Sequence, residues 1–286
     1  VIQILMNALS SAAIIAPSAV AFTLLFSLFR FANFAVGALM TAGAFATWAL
    51  NVPLGLPLGL AAPGGMAISA LVLAVCDYLA FRPLRAHGGA TLLLVSIAVA
   101  LVIENLLRLG FGSQIKGLDV PLSRPWTFGP VRAGPEQLGV IAASALAIVL
   151  VMAGLRLLPW GRALRGVADD PGLAGVRGVP VARVHMAGIL GAGALFGLGG
   201  TLAAVDLAIE PGLGWALVIP VLAAAILGGV GSPAGAVLGA GLIGLAEELT
   251  ALYVAPSYKM AVGFVVIVLV LLIRPNGLFG AQAVRK

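Results

Sequence analysis

Apolar residues dominate this chain in long runs, and the polar residues between them fall at nearly regular intervals. Nine hydrophobic segments read out at 4–29, 33–50, 59–81, 90–109, 138–157, 184–206, 214–230, 234–252 and 258–274. Each is close to the ~20 apolar residues a helix needs to cross the hydrocarbon core of a bilayer. The period-2 alternation of a barrel strand is missing. The pattern predicts an all-α polytopic membrane bundle of about 8–10 spans, some broken or re-entrant, forming one transmembrane domain over residues 1–286.

Two stretches break the pattern. Arg30-Phe31-Ala32-Asn33-Phe34 puts a charge and an amide just before Gly37, and Leu227-Gly228-Gly229-Val230-Gly231-Ser232-Pro233-Ala234-Gly235 cannot run as an uninterrupted helix. Interrupted helices at corresponding positions of two halves mark an inverted repeat and a transport route, and these two breaks are the expected pair. Two tight turns between helices are the plainer alternative. G-x-x-x-G spacing at Gly193/Gly197 and Gly235/Gly239, and Gly188 before Ala192, suit close helix contact.

The longest polar run is 160–184, WGRALRGVADDPGLAGVRGVPVARV. Its prolines and glycines predict one or two short helical pieces joined by turns. An arginine-rich loop of this kind either docks a partner or fixes topology. Placing it in the cytoplasm puts Arg30, Arg82, Arg85, Arg156, Arg162, Arg165, Arg177, Arg183, Arg274, Arg285 and Lys286 on the inner side. Arg108, Lys116, Arg124, Arg132 and Lys259 stay on the other. The asymmetry predicts a bacterial-type inner-membrane protein with its N-terminus out and C-terminus in. The Gly- and Pro-rich loop 110–138 then reads as an extracytoplasmic cap. The chain opens on Val1, so an initiator or a few residues are expected before it, and the first segment lacks the basic flank and cleavage site of a signal peptide.

Composition narrows the chemistry. With 62% hydrophobic and 9% charged residues, the chain is far from the roughly 25% charge of a soluble domain. A net charge of +6 fits basic loops beside anionic membrane lipid and requires no nucleic acid. The lone Cys76 excludes an internal disulfide. A phosphate-binding loop, a metalloprotease motif and a hydrolase elbow are all missing, and only His87 and His185 could ligate as imidazoles. The chain is therefore expected to hold no catalytic residue, no metal and no cofactor. Ionisable residues remain near membrane depth: Asp77, Glu104, Asp206, Glu210, Glu247 and Glu248. Asp77 is expected to pair with Arg82, and Asp206 and Glu210 to be wet. Glu104 with its neighbour Asn105, and Glu247, are candidates to line a route. An ion-coupled secondary transporter would use Glu104 with Glu247; a channel-like facilitator would need neither.

At several points the residues resemble a known family, the permease subunits of branched-chain amino acid ABC importers. The likeness rests on Asn33-Phe34-Ala35-Val36-Gly37, Phe81-Arg82-Pro83-Leu84-Arg85, Gly161-Arg162-Ala163 and Ala168-Asp169-Asp170. It continues through 227–235, Ala246-Glu247, Tyr258-Lys259 and Arg274-Pro275-Asn276-Gly277-Leu278-Phe279-Gly280, so it covers nearly the whole length. The resemblance implies a heteromeric importer: two permease chains, two cytoplasmic ATPase subunits that bind ATP and Mg, and an extracytoplasmic substrate-binding protein. It implies that 160–184 couples to the ATPase through Arg162, Arg165, Ala168, Asp169, Asp170, Ala174 and Gly178. It also implies that the breaks at Asn33-Phe34, with Val36, and at Gly228–Gly235, with Gly229 and Ser232, flank the substrate pathway that Glu104, Asn105 and Glu247 are candidates to line; motion of the coupling region is then expected to pass to the break near Gly229. Val36 stands where the family often has His, and Ala38 where an acidic residue follows. That makes this part of the route more apolar and puts leucine-type specificity in doubt, since relatives move urea, short amides and small or aromatic carboxylates.

Overall fold

A computed structural model of the chain describes residues 2–120, 126–128, 131–274 and 277–279. Arg124, Pro275, Asn276, Gly280, Arg285 and Lys286 lie outside the described residues. Each of the nine apolar segments is a helix, with ends within a few residues of those expected. They are α1 (Ile2–Phe29), α2 (Val36–Asn51), α3 (Leu58–Cys76), α5 (Gly89–Phe111), α6 (Pro135–Leu157), α9 (Val181–Asp206), α10 (Leu213–Gly228), α11 (Pro233–Tyr253) and α12 (Lys259–Ile273). The short α4 (Arg82–Leu84) continues the line of α3, and α7 (Pro159–Asp169) and α8 (Pro171–Val176) make up the polar run. A small antiparallel hairpin pairs Trp126–Phe128 with Val131–Ala133 inside the 110–138 loop.

Among the described residues, six helices are long and apolar enough to cross a membrane, and α10 and Ala261–Ile273 are shorter apolar helices. The centre is built from α1 and α9, whose most apolar windows are 83% and 78% buried, whereas that of α6 is 11% buried. α1 packs along α11 as α3 packs along α9, α2 packs on α3 as α10 packs on α11, and α5 lies on α2 as α12 lies on α10. The first three helices and the block α9–α11 are thus two copies of one packing scheme, the inverted repeat of a transporter fold. α2 and α10 each have 16 residues, about 24 Å of helix against a core of about 30 Å.

This geometry corrects one expectation. The partner of the Asn33–Gly37 break is the Glu210–Gly214 stretch that opens α10, and the 227–235 string is instead a tight turn between α10 and α11. Gly229 and Gly231 hold φ of 103° and 95°, and the Ser232 hydroxyl caps α11 by accepting from the Gly235 N–H at 3.1 Å. Gly277, with φ of 71°, packs on Gly229, and the N–H groups of Leu278 and Phe279 donate to the carbonyls of Leu227 and Gly228. The same sequence interval separates Gly37 from Gly214 and Asn51 from Gly228, so this turn matches the one after α2 at the opposite end.

A second correction concerns Asp77. It pairs with Arg85, not Arg82. Pro83 has no N–H, and the helix ahead of it widens into a π-helical turn over Asp77–Phe81 that advances the later side chains around the axis. Arg82 is left exposed, while the Arg85 guanidinium also stacks over Phe29, 4.3 Å from its ring centre.

The small-residue motifs seat helices on one another. A Cβ on Gly193 would stand 2.6 Å from the Ala70 Cα, and one on Gly239 only 2.0 Å from the Ala224 carbonyl oxygen. Gly241, two residues further along α11, faces open space. Gly239→Ala is therefore expected to destabilise the fold by about 1–3 kcal/mol, and Gly241→Ala to be neutral or to stabilise it by up to ~1 kcal/mol. Thermal unfolding in detergent would separate the two variants; equal effects would contradict this packing of α11 on α10.

Candidate functional site

The two short helices begin beside each other within the bundle. A Cβ on Gly214 would lie 1.9 Å from the Gly37 carbonyl oxygen, so only glycine at both positions lets these backbones meet. Thr41 joins them: its hydroxyl donates to the Gly37 carbonyl at 3.0 Å and accepts from the Gly214 N–H at 2.9 Å. One turn away, Gly200 lies so close to Met40 that a Cβ would be 1.8 Å from its carbonyl oxygen. From the junction α2 runs to Asn51, whose amide oxygen accepts from the Asp119 N–H in the 110–138 loop. α10 runs the other way, to the turn beside Ser27 near the end of α1. Two helix N-termini, with their positive dipole ends, therefore lie beside one another within the bundle, the Gly214 N–H being taken up by Thr41.

Polar side chains gather round this junction. The Asn33 amide oxygen accepts from the Ala35 N–H at 2.9 Å and shapes the turn into α2. The Phe34 N–H donates to the Ser96 hydroxyl of α5 at 2.9 Å. Glu104, 8% exposed, accepts from Trp215 Nε1 in the first turn of α10 at 2.6 Å and from Arg108 at 2.5 Å. Thr47 and Thr201 share a hydrogen bond of 2.7 Å between α2 and α9. Ser18 on α1 is fully buried, and its hydroxyl has no partner among the described residues.

Of the expected route residues, Asn33, Phe34, Val36 and Glu104 thus come together around α2, α5 and the start of α10. Asn105 does not join them: it is exposed, and its amide donates to the Leu101 carbonyl of its own helix. Glu247 is buried on α11, whose Gly244 abuts Ala8 and Ala12 of α1. Among the described residues no hydrogen bond or ion pair joins Glu247 to Glu104. Gly229 and Ser232 lie at the end of the bundle that carries α7 and α8. Thr41, Gly214 and Trp215 were not anticipated; the Glu210-Pro211-Gly212-Leu213-Gly214 cluster, at the same interval from Asn33–Gly37 as the helix ends are from each other, is the signal that marks them.

The polar run 160–184 folds as two helices. Pro159 opens α7 at its first position, and Asp170 caps α8 by accepting from the Leu173 N–H at 2.9 Å. Gly178, at φ 82°, closes α8: its N–H donates to the Gly175 carbonyl, and that of Val179 to the Ala174 carbonyl. Underneath, Val167, Ala174 and Val184 form a small core with Leu28 of α1. Arg30, at φ 54°, donates to the carbonyls of Ala168 and Asp169 at 3.3 and 3.2 Å and ties α7 to the end of α1. Arg162, Arg165, Asp169 and Asp170 are exposed, and a groove of about 530 Å³ runs between α7 and α8 past Arg162, Asp170 and Arg177.

A helical bundle with two short helices meeting end to end inside it and a structured basic block at one end is a polytopic membrane transport protein. The family described as branched-chain amino acid transport system, permease component, matches residues 4–271, and the chain belongs to it. It is similar to LivH of Escherichia coli K12, a high-affinity branched-chain amino acid transport system permease protein, at 26% identity over all of this chain and 97% of the relative. BraD of Pseudomonas aeruginosa, described in the same words, is 30% identical with the same coverage. Among solved structures, PsaBC from Streptococcus pneumoniae in complex with Fab aligns with a TM-score of 0.54 and 15% identity over 97% of this chain and 94% of that one, a likeness of fold.

The junction can be tested through Thr41. Thr41→Val leaves the buried Gly214 N–H without an acceptor and is expected to destabilise the fold by about 1–3 kcal/mol, while Thr41→Ser keeps the hydroxyl and stays close to the parent. Thermal unfolding, with amide exchange at Gly214, reads both; a Val variant as stable and protected as the Ser variant would remove Thr41 from its linking role.

Proposed function

We propose that this chain is the membrane-spanning subunit of an ATP-driven importer for a branched-chain amino acid or a related small solute, and that it switches access when separate ATPase subunits push on α7 and α8. The observation that carries this reading is the α7–α8 block. It is preorganised by the Asp170 cap and the Gly178 turn, exposes a grooved polar surface, and is joined by Leu28, Val184 and Arg30 to both central helices. A displacement of the block therefore moves α1 and α9 together: Ser18 of α1 lies on Gly199 of α9, and the next residue, Gly200, lies against Met40 of α2 near the junction.

The arginines support the orientation. Arg30, Arg156, Arg162, Arg165, Arg177 and Arg183 collect at the α7–α8 end, and the 110–138 loop lies at the other, a distribution that favours a cytoplasmic block and an external N-terminus. ATP and Mg would bind in the ATPase partners, and a substrate-binding protein would deliver solute at the loop end. The large described cavities lie towards the ends of the bundle, while the junction between α2 and α10 is close packed. That favours a solute route formed against a second permease chain. Val36 and Ala38 are buried in the helix packing. Their apolar character answers to that packing, so the solute is to be sought in the binding protein.

Purification from the native membrane in mild detergent is expected to retain an ATPase pair and a second permease chain; recovery of this chain alone would defeat the proposal. In vesicles holding the complete complex, Asp170→Ala should lower solute uptake per ATP hydrolysed several-fold, as removal of a cap worth about 1 kcal/mol implies. Asp170→Asn, which can still cap α8, should retain coupling. Unchanged coupling in the Ala variant would show that the order of α8 is irrelevant to transport.

A further inference from the structure

Beside the α7–α8 block lies a second, larger groove of about 840 Å³, bounded by the end of α1, the α6–α7 elbow and the α10–α11 turn. It is amphipathic. Leu24, Met152 and Leu155 make an apolar wall, while Arg156 and Arg165 stand at the charged rim with Ser27 and Ser232. Arg30 and Asp169 also reach it, so three guanidinium groups face one carboxylate. Arg30 is already engaged with the carbonyls of α7. Arg156 and Arg165 form no ion pair or hydrogen bond among the described residues. The neighbouring wall is α6, the least buried of the long apolar helices, so the groove lies at the outer face of the bundle where a helix end emerges from hydrocarbon.

We infer that this groove binds an anionic phospholipid, with the headgroup phosphate between Arg156 and Arg165 and an acyl chain along Leu24, Met152 and Leu155. Free arginines directly beside an apolar trough match an anion joined to a hydrocarbon chain. A small soluble anion would leave the trough uncovered, and an apolar segment alone would leave the arginines unpaired. The occupied groove braces the α6–α7 elbow against the end of α1 and the Ser232 turn. The lipid then sets how firmly the basic block is held to the bundle. This inference concerns lipid chemistry and stands whether or not the chain moves an amino acid.

The test is native mass spectrometry of the intact complex, delipidated in detergent and titrated with phosphatidylglycerol or with phosphatidylcholine of the same acyl chains. The parent should retain phosphatidylglycerol in preference, and the Arg156→Gln/Arg165→Gln pair should weaken that binding roughly 30-fold. Arg82→Gln, at an exposed arginine outside the groove, should bind as the parent does. Equal binding of the two lipids by the parent, or undiminished phosphatidylglycerol binding by the double variant, would overturn the proposal. So would displacement of the lipid by millimolar inorganic phosphate, which would reassign the arginines to a free anion. A photo-crosslinker at Arg165 that captured a protein subunit in place of lipid would overturn it equally. A double variant whose thermal unfolding matches the parent's while its lipid preference is gone would confirm it.

Discussion

The contact between Gly37 and Gly214 sets the terms for the rest of the bundle. In hydrocarbon, helices gain nothing by hiding apolar side chains from water, so association depends on how closely backbones approach and on the few hydrogen bonds made between them. Here the two helix starts touch with no side chain between them, and the Thr41 hydroxyl bridges the Gly37 carbonyl and the Gly214 N–H. Once that contact is made, the directions of α2 and α10 are fixed, and so are the positions available to α3, α5, α11 and α12, which pack on them in matching fashion.

The sequence was a good guide wherever one strong physical term decides the outcome. Desolvation of backbone groups forces each long apolar run into a helix, and all nine runs obeyed it. Prolines and glycines made the polar run 160–184 legible as one or two short helical pieces; the structure has two, with Asp170 as the cap of the second and Gly178 as its stop. The broken positions were harder, because a Gly/Pro cluster says that a helix ends and not at what depth. Leu227–Gly235 carries the loudest such signal, yet it is a turn at one end of the bundle, while the quieter Glu210–Gly214 cluster opens the helix that meets α2. Asp77 went to Arg85 for a similar reason: a single π-helical turn changes which side chains share a face, and no periodicity in the sequence records it.

The candidate site was half legible. Glu104 was named from residue type, and Asn33, Phe34 and Val36 from the broken segment and the family resemblance; all four lie around the junction. Their partners Thr41 and Trp215 look like ordinary residues of apolar helices until the fold brings α2, α5 and α10 together. Asn105 shows the reverse. An amide next to a buried carboxylate invites a shared role, but neighbours on a helix point about 100° apart, and here one faces the bundle and the other its exterior.

The pairing of Leu278 and Phe279 with the Leu227 and Gly228 carbonyls bears on biogenesis. Both carbonyls emerge from the ribosome about fifty residues before their donors, so the α10–α11 hairpin enters the bilayer with its turn unsealed. α1 is in a similar position, since the helices that enclose it, α9 and α11, belong to the other half of the chain. α1 is thus made well before the helices that enclose it. In the interval it must be shielded by lipid or by the insertion machinery, and nascent chains halted before α9 would expose its polar serines and threonines to quality-control proteases.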